Sequence, residues 1–123
     1  MQKTILVVDD SVMILRIVGQ ILEKAGYKIL LADSGKIGCD LAKCHCPDLI
    51  MMDIEMPQMD GIEATEKIRS TPETAHIPIM IFTSLGSEED MSRARKANVQ
   101  GFLNKPICKN DLVAAIGKIL DHS

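Results

Sequence analysis

The sequence predicts an α/β protein in which five parallel strands form one sheet between two layers of helices. Five short apolar runs alternate along the chain with five segments of helical periodicity, which is the pattern of repeated βα units. The runs lack an alternation of polar and apolar residues, as expected for strands buried on both faces of a parallel sheet. They span residues 5–8, 29–32, 49–52, 79–82 and 102–103.

The connections between the runs restrict the topology of this sheet. Crossovers between parallel strands are right-handed, which leads to a doubly wound sheet with helices on both faces. We choose the strand order 2-1-3-4-5 because it sets the carboxyl ends of the first and third strands side by side. The result is one three-layer domain over residues 1–123, close to the commonest domain size.

Cap residues and apolar stripes locate the helices. Asp60 and Ser87, each followed three residues later by an acidic residue, are placed to begin the third and fourth helices, and Gly26 is placed to end the first. The fourth helix, around residues 88–97, offers the core only a thin stripe, which predicts weak anchoring and mobility. The stripes comprise Ile14, Ile17, Val18, Ile21, Leu22 and Ala25 in the first helix, Met91, Ala94 and Ala97 in the fourth, and Leu112, Val113, Ile116, Ile119 and Leu120 in the fifth.

Composition and charge restrict the classes of function. A net charge of −3 lacks the basic surface that binding to a phosphate backbone requires, so we expect protein partners rather than nucleic acid. No apolar stretch approaches the roughly 20 residues of a membrane span, and no signal-peptide pattern precedes the first strand. We therefore expect a cytoplasmic protein without membrane contact.

The four cysteines, Cys39, Cys44, Cys46 and Cys108, are expected to be reduced thiols, because disulfides are rare in cytoplasmic proteins. The Cys-His-Cys segment at residues 44–46 raises the alternative of a zinc site. Structural zinc sites usually close with four ligands, and no second ligand pair follows at a suitable spacing. We favour a helix end for this segment.

Acidic residues follow two of the runs at positions that the sheet would bring together. Asp9 and Asp10 come directly after the first run, and Asp53 comes directly after the third. Because the carboxyl ends of parallel strands meet at one edge, where such sheets bind ligands, we expect these side chains to cluster. At an effective dielectric of about 20, two carboxylates a few Å apart repel by about 4 kcal/mol, so the cluster requires a divalent cation or an ammonium group. Lys105 supplies an ammonium group after the fifth run, and Thr83 adds a hydroxyl after the fourth.

This set of residues suits phosphoryl chemistry. Asp53 is the best nucleophile candidate, since a carboxylate that attacks phosphorus gives an aspartyl phosphate. Asp9 and Asp10 would hold Mg²⁺, which offsets charge on the incoming phosphoryl group, and Lys105 would supply the opposing point charge. Taken alone, each residue has a simpler explanation: Asp10 or Ser11 as a helix cap, Asp53 as a turn residue, and Lys105 as a solvated side chain. Their coincidence at one edge favours a common site.

Together these motifs resemble the receiver domain of two-component response regulators. The resemblance covers nearly the whole chain and rests on four segments, VVDDS at 7–11, MDIEMPQMDG at 52–61, IFTS at 81–84 and KPI at 105–107. It implies a flavodoxin-like, doubly wound fold. The order 2-1-3-4-5 is that of the chemotaxis member of the family, so the resemblance supports the order chosen above. The pattern is shared by single-domain regulators and by receivers of hybrid kinases.

The resemblance implies a role for each residue of the acidic cluster. Asp53 would accept a phosphoryl group from a phosphohistidine on a sensor histidine kinase or a histidine phosphotransfer protein. Asp10 and Asp53 would ligate Mg²⁺ directly, Asp9 would do so through a water molecule, and Glu55 would contribute its backbone carbonyl. The side chains of Glu55 and Leu85 would set the lifetime of the phosphoryl group. The protein would be a signalling switch rather than an enzyme, catalysing only its own phosphorylation and slow autodephosphorylation.

Further positions of the resemblance would carry the signal. Lys105 and the hydroxyl of Thr83 would contact the phosphoryl oxygens, and the Lys105-Pro106 peptide bond would be cis, although trans is the default from the statistics of X-Pro bonds. Phe102 matches the aromatic switch position, where its ring would turn inward as Thr83 moves; a plain core role is the alternative. The changed surface of the fourth helix, fifth strand and fifth helix would control a protein partner, with the chain monomeric or dimerising on phosphorylation.

Two other classes of protein use parts of this pattern. An aspartate-nucleophile phosphohydrolase of the haloacid-dehalogenase kind also combines Asp, Mg²⁺ and Lys, but it needs a second Asp where this chain has Glu55, and no segment serves as a substrate-enclosing cap. A flavodoxin-like FMN carrier needs a phosphate-binding loop where Asp9 and Asp10 would repel the phosphate. It also needs aromatic rings, and the chain has one Tyr, two Phe and no Trp. Both fit the sequence less well than a receiver.

Overall fold

The computed structural model describes residues 2–84 and 87–121 and confirms the predicted three-layer architecture. The strands in this part of the chain are β1 (Thr4–Val8), β2 (Lys28–Ala32), β3 (Leu49–Asp53), β4 (Ile79–Thr83) and β5 (Gly101–Asn104). The helices are α1 (Val12–Lys24), α2 (Gly35–His45), α3 (Gly61–Ser70), α4 (Glu88–Lys96) and α5 (Lys109–Asp121). The sheet is parallel throughout, in the predicted order β2-β1-β3-β4-β5. Within the described ranges, no helix has the length and apolar character needed to cross a membrane.

The register of the sheet brings the ends of the strands to one edge. Val8, the last residue of β1, pairs with Met52 of β3, and Asp53 at the end of β3 pairs with Phe82 of β4. Thr83, the last residue of β4, pairs with the last residue of β5. The carboxyl ends of β1, β3, β4 and β5 therefore lie side by side.

The alternation of side chains along the strands divides the core into two layers. In β1, Ile5 and Val7 pack with α1 and α5, whereas Leu6 and Val8 pack with α2, α3 and α4. Strands β3 and β4 are buried along their whole length. Because both faces of the central strands are covered, their sequences show no polar alternation.

The buried face of α1 agrees with most of the predicted stripe, since Val18 and Leu22 are buried and Ile14 and Ile21 pack against the core. The prediction of Ile17 and Ala25 as core residues is wrong, since both are exposed, Ile17 to 43%. The buried apolar side chains of α1 are Leu15, Val18 and Leu22, which follow one another at intervals of three and four residues on one face. Helix α1 packs against β1 and the edge strand β2. Ile14 and Ile21 beside this face are partly buried against the same core, whereas Ile17 stays at the surface.

The predicted helix boundaries are confirmed. Asp60 caps α3 in a reciprocal capping box with Glu63, and the side chain of Ser87 accepts a hydrogen bond from the amide of Asp90 at the start of α4. Helix α1 ends before Gly26, whose φ of 99° suits glycine. The Cys-His-Cys segment forms the end of α2, as favoured above, and all four cysteines are free thiols.

The start of α3 lies directly against the backbone of Asp53. Gly61 is buried, and a β-carbon placed on it would overlap the carbonyl oxygen of Asp53 and lie 2.8 Å from the carbonyl carbon. The amide of Gly61 donates to the carbonyl of Ile54 at 2.9 Å. The close approach of two backbones therefore requires glycine here. This contact fixes the end of β3, where Asp53 stands.

We predict that Gly61→Ala destabilises the protein by about 2 kcal/mol or more, because the added methyl group must displace the backbone at the end of β3. Gly117→Ala is the matched control, since Gly117 lies in α5 and a β-carbon there meets no atom of the described chain within 4 Å. Removal of a helical glycine should leave this control as stable as the wild type, or up to about 1 kcal/mol more stable. Urea unfolding measures both variants, and equal stability of the two would show that the close approach imposes no such requirement.

Candidate acidic site at the carboxyl edge of the sheet

Three carboxylates meet at the carboxyl edge of the sheet, as the sequence predicts. Asp9 and Asp10 follow β1, and Asp53 ends β3. One carboxylate oxygen from each residue lies within 4.8 Å of the other two. Asp9 is fully buried and Asp53 nearly so, whereas Asp10 is exposed. Over residues 2–84 and 87–121, this is the one group of acidic, histidine or cysteine side chains with the spacing of a metal site.

Hydrogen bonds to the end of β2 and to the start of α1 hold Asp9 in place. Its amide donates to the carbonyl of Ala32 on β2 at 3.1 Å, and its carboxylate accepts from the amide of Ser11 at 2.8 Å. Ser11 is the N-cap of α1, and its hydroxyl accepts from the amide of Ile14. The cap explanation therefore applies to Ser11, and the carboxylate of Asp10 remains at the open side of the cluster.

Lys105 provides the counter-charge for the buried carboxylates. Its Nζ lies 2.8 Å from Oδ2 of Asp9 and 3.4 Å from Oδ1 of Asp53, and 5.0 Å from the centroid of the Phe82 ring. Its side chain is only 17% exposed, so the alternative of a solvated lysine is wrong. The Lys105-Pro106 bond is cis, which confirms the expectation from the resemblance and corrects the trans default. Statistics over all X-Pro bonds do not include the tertiary contacts that select one isomer.

The surroundings of Asp53 and Lys105 shift both of their pKa values upward. Burial, and next the negative charge of Asp9, raise the pKa of Asp53 from 3.8 to about 6. Lys105 and the backbone amide of Glu55 act in the opposite direction without cancelling this effect. For Lys105, burial disfavours the charge, yet the hydrogen bond to Asp9 and the charges of Asp53 and Asp9 raise the pKa overall. The site thus combines an ammonium group that is held in its charged form with a carboxylate whose ionised form is disfavoured, chiefly by burial.

The donor set of the cluster suits a hard divalent cation. Each of the three grouped side chains offers a carboxylate oxygen, the ligand type that Mg²⁺ prefers in proteins. When all three are ionised, their charge exceeds that of the Lys105 ammonium group by two, which is the charge of Mg²⁺. Asp9, Asp10 and Asp53 therefore fit this ion in both chemistry and charge.

Other residues singled out in the sequence lie around the cluster. Thr83 is buried at the end of β4, and its carbonyl accepts from the amide of Lys105 at 3.0 Å. The side chain of Glu55 is exposed in the segment after β3. Leu85 lies outside the described residues. Phe102 stands in β5 opposite Ile81 rather than at the carboxyl edge.

Several contacts that shape the site were not expected from the sequence. They are the amide of Ser11 on Asp9, the backbone of Gly61 against Asp53, and the ring of Phe82 beside Lys105. The sequence contains a signal for the first two contacts. Ser11 stands two residues after Asp9, and Gly61 directly follows the helix cap Asp60. The contact of Phe82 has no local signal, since it depends on the pairing of β4 with its neighbours.

Comparison with known proteins assigns the family. Residues 5–117 match the profile of the response regulator receiver domain. The polar-differentiation response regulator DivK of Brucella ovis is 33% identical over 107 residues, which cover 87% of each chain. The CheY-like response regulator receiver domain protein of Methanospirillum hungatei JF-1 has a TM-score of 0.94 at 30% identity, over 99% of this chain and 96% of its own. The receiver domain of the sensor histidine kinase PA1611 from Pseudomonas aeruginosa PAO1, solved with a magnesium ion in its active-site cleft, has a TM-score of 0.90 at 25% identity, over 98% of this chain and 99% of its own. The chain therefore belongs to the response regulator receiver domain family of two-component signalling.

Proposed function

We propose that phosphorylation of Asp53 by a phosphohistidine donor switches this receiver domain. The donor would be a sensor histidine kinase or a histidine phosphotransfer protein. The observation that carries the assignment is the position of the Asp53 carboxylate, which lies 3.4 Å from Nζ of Lys105 and is grouped with two further carboxylates. The carboxylate that would act as the nucleophile, the carboxylates that would hold a cation and the ammonium group of Lys105 therefore lie close together.

Mg²⁺ is the cofactor that we propose for this site. Asp10 and Asp53 would ligate the ion directly, Asp9 through a water molecule, and Glu55 through its backbone carbonyl. The all-oxygen donor set supports this proposal, as does the magnesium ion in the active-site cleft of the PA1611 receiver domain. When bound, the ion supplies positive charge to the phosphoryl oxygens.

The transfer step follows from the chemistry of the carboxylate. An oxygen of Asp53 forms a bond to phosphorus as the P–N bond of the phosphohistidine breaks, and the electron pair of that bond returns to the imidazole. This attack requires ionised Asp53, whose pKa of about 6 leaves it mostly ionised at neutral pH. Lys105 and the hydroxyl of Thr83 would each bind a phosphoryl oxygen. Slow attack by water would later release phosphate, so the protein would catalyse only its own phosphorylation and dephosphorylation.

The signal would leave through the face formed by α4, β5 and α5. Phe102 of β5 is half-buried, and the guanidinium carbon of Arg95 on α4 lies 5.8 Å from the centroid of its ring. A turn of this ring, coupled to movement of Thr83 toward the phosphoryl group, would change the affinity of the face for a protein partner. We expect this switch to work in the cytoplasm, as a monomer or a phosphorylation-dependent dimer, without direct contact with nucleic acid or a membrane.

We predict that acetyl phosphate with Mg²⁺ adds one phosphoryl group to the wild-type chain, located in the proteolytic fragment that contains residues 51–56. Asp53→Asn removes the nucleophile and should abolish the gain in mass. Asp40→Asn is the matched control at an exposed position of α2, and it should be labelled like the wild type. Chelation of Mg²⁺ should also prevent labelling. Undiminished labelling of Asp53→Asn would identify another acceptor and refute the proposal.

We also predict that Asp53→Asn stabilises the metal-free protein at about pH 8, on the order of 2 kcal/mol, and that this gain disappears toward about pH 4. Because the pKa of Asp53 is raised from 3.8 to about 6, the native state binds this proton more tightly than the unfolded state. The contribution of Asp53 to stability therefore falls as the pH rises between these two values, whereas Asn has no charge at any pH. Urea unfolding in the presence of a chelator measures the difference, and a gain that is independent of pH would contradict the raised pKa.

A further inference from the structure

Helix α4 is held to the rest of the domain mainly by polar contacts. Its first turn is acidic and its last turn is basic, and Ala94 is the one buried residue of Glu88–Lys96. A single buried methyl group removes little apolar surface from water. The position of α4 therefore depends on hydrogen bonds and ion pairs with neighbouring elements.

Arg69, in the last turn of α3, makes the most extensive of these contacts. Its Nε donates to the carbonyl of Ala97 at 3.2 Å, and its Nη2 donates to the carbonyl of Asn98 at 2.9 Å, both just beyond α4. Its Nη1 donates to the carbonyls of Ala75 at 3.0 Å and Ile77 at 2.6 Å, in the segment before β4. One guanidinium group thus joins α3, the C-terminal end of α4 and the approach to β4.

Gln100 extends this network to β5. Nη2 of Arg69 also donates to Oε1 of Gln100 at 3.1 Å, and the same oxygen accepts from the amide of Ile79 at 2.7 Å. The five hydrogen bonds of Arg69 match the five N–H donors of a guanidinium group. A lysine ammonium group, with three donors on one nitrogen, cannot span these acceptors. All of the acceptors are neutral, so salt screens this contact less than it would screen an exposed ion pair.

A weaker contact holds the middle of α4. Nη1 of Arg93 lies 3.8 Å from Oδ2 of Asp60, the N-cap of α3, and 3.7 Å from Oδ1 of Asp90. The side chain of Arg93 is 40% exposed and those of its two partners are 32% exposed. Solvent therefore weakens these pairs, which lack the saturated geometry of Arg69.

We propose that α4 opens as a unit separate from the rest of the domain and that the guanidinium group of Arg69 is the latch that holds it closed. The latch lies at the amino edge of the sheet, where β4 and β5 begin, whereas the acidic site lies at the carboxyl edge. The opening of α4 would thus depend on an interaction remote from the acids. The inference goes beyond the proposed function and holds whether or not Asp53 accepts a phosphoryl group.

Native-state hydrogen exchange, followed by NMR at low urea concentrations, tests whether α4 opens separately. The reporters are the amides of Met91 and Ala97, which donate to the carbonyls of Ser87 and Arg93 at 2.9 Å and 3.1 Å. In the wild type, their opening should depend less on urea than that of amides in β1 and β3, because a local opening exposes less surface than global unfolding. Equal urea dependence would mean that α4 opens only with the whole domain, which would overturn the proposal.

Arg69→Lys tests the latch itself. The variant keeps the charge but loses several hydrogen bonds that the closed state makes, so protection of the Met91 and Ala97 amides should fall at least about tenfold. Gln100→Ala removes one acceptor and should lower protection in the same direction, which provides a second test if Arg69→Lys does not fold.

Two arginine variants serve as matched controls for the latch. Arg93→Gln removes the partly exposed ion pairs with Asp60 and Asp90 and should lower protection less than about fivefold. Arg16→Lys, at an exposed position of α1, should leave protection within about twofold of the wild type. Unchanged protection at α4 in Arg69→Lys, or an equal loss in Arg93→Gln, would show that Arg69 is not the latch.

Discussion

Three carboxylates share one edge of the sheet with a single ammonium group, that of Lys105, and the function that we propose depends on this excess of negative charge. Burial leaves Asp9 and Asp53 almost no contact with solvent, so their repulsion is poorly screened. Lys105 contacts both, and its own pKa rises as a result. Burial, and next the charge of Asp9, still raise the pKa of Asp53 to about 6 despite the contact with Lys105. A divalent cation is the natural complement of the excess negative charge.

The fold places the repulsion between these carboxylates at the strand ends, and the packing beneath that edge stabilises the strands that carry them. The carboxyl ends of parallel strands converge, so β1 and β3 deliver acids to the same point without any local sequence requirement. Beneath that edge, the central strands are buried on both faces, and Gly61 packs against the backbone of Asp53. The part of the domain that we propose to open lies elsewhere, in α4, which polar contacts of Arg69 and Arg93 join to its neighbours. On this proposal, the packing that holds the acidic site and the contacts that hold α4 are different interactions.

The sequence predicted the sheet and the position of the acidic site, because these follow from apolar runs and from the residues at their ends. The strand order was chosen so that the acids meet, and the family resemblance supported that choice. The sequence predicted most of the buried face of α1 but wrongly included Ile17 and missed Leu15. Two apolar stripes overlap there, and the choice of Leu15 over Ile17 depends on where the helix crosses the edge strand. The roles of neighbouring polar residues also escaped prediction, since a single hydrogen bond makes Ser11 rather than Asp10 the helix cap. The network of Arg69 was not predicted because its acceptors come from segments that only the folded chain brings together.

Calorimetric titration of Mg²⁺ into the wild type and into Lys105→Met, at about pH 8, tests most directly whether Lys105 and a divalent cation compensate the same negative charge. Removal of the ammonium group, with the length of the side chain nearly kept, leaves the carboxylates with more uncompensated charge. The variant should therefore bind Mg²⁺ more tightly than the wild type, by about tenfold or more. Equal or weaker binding by Lys105→Met would contradict the charge balance on which this interpretation of the site depends.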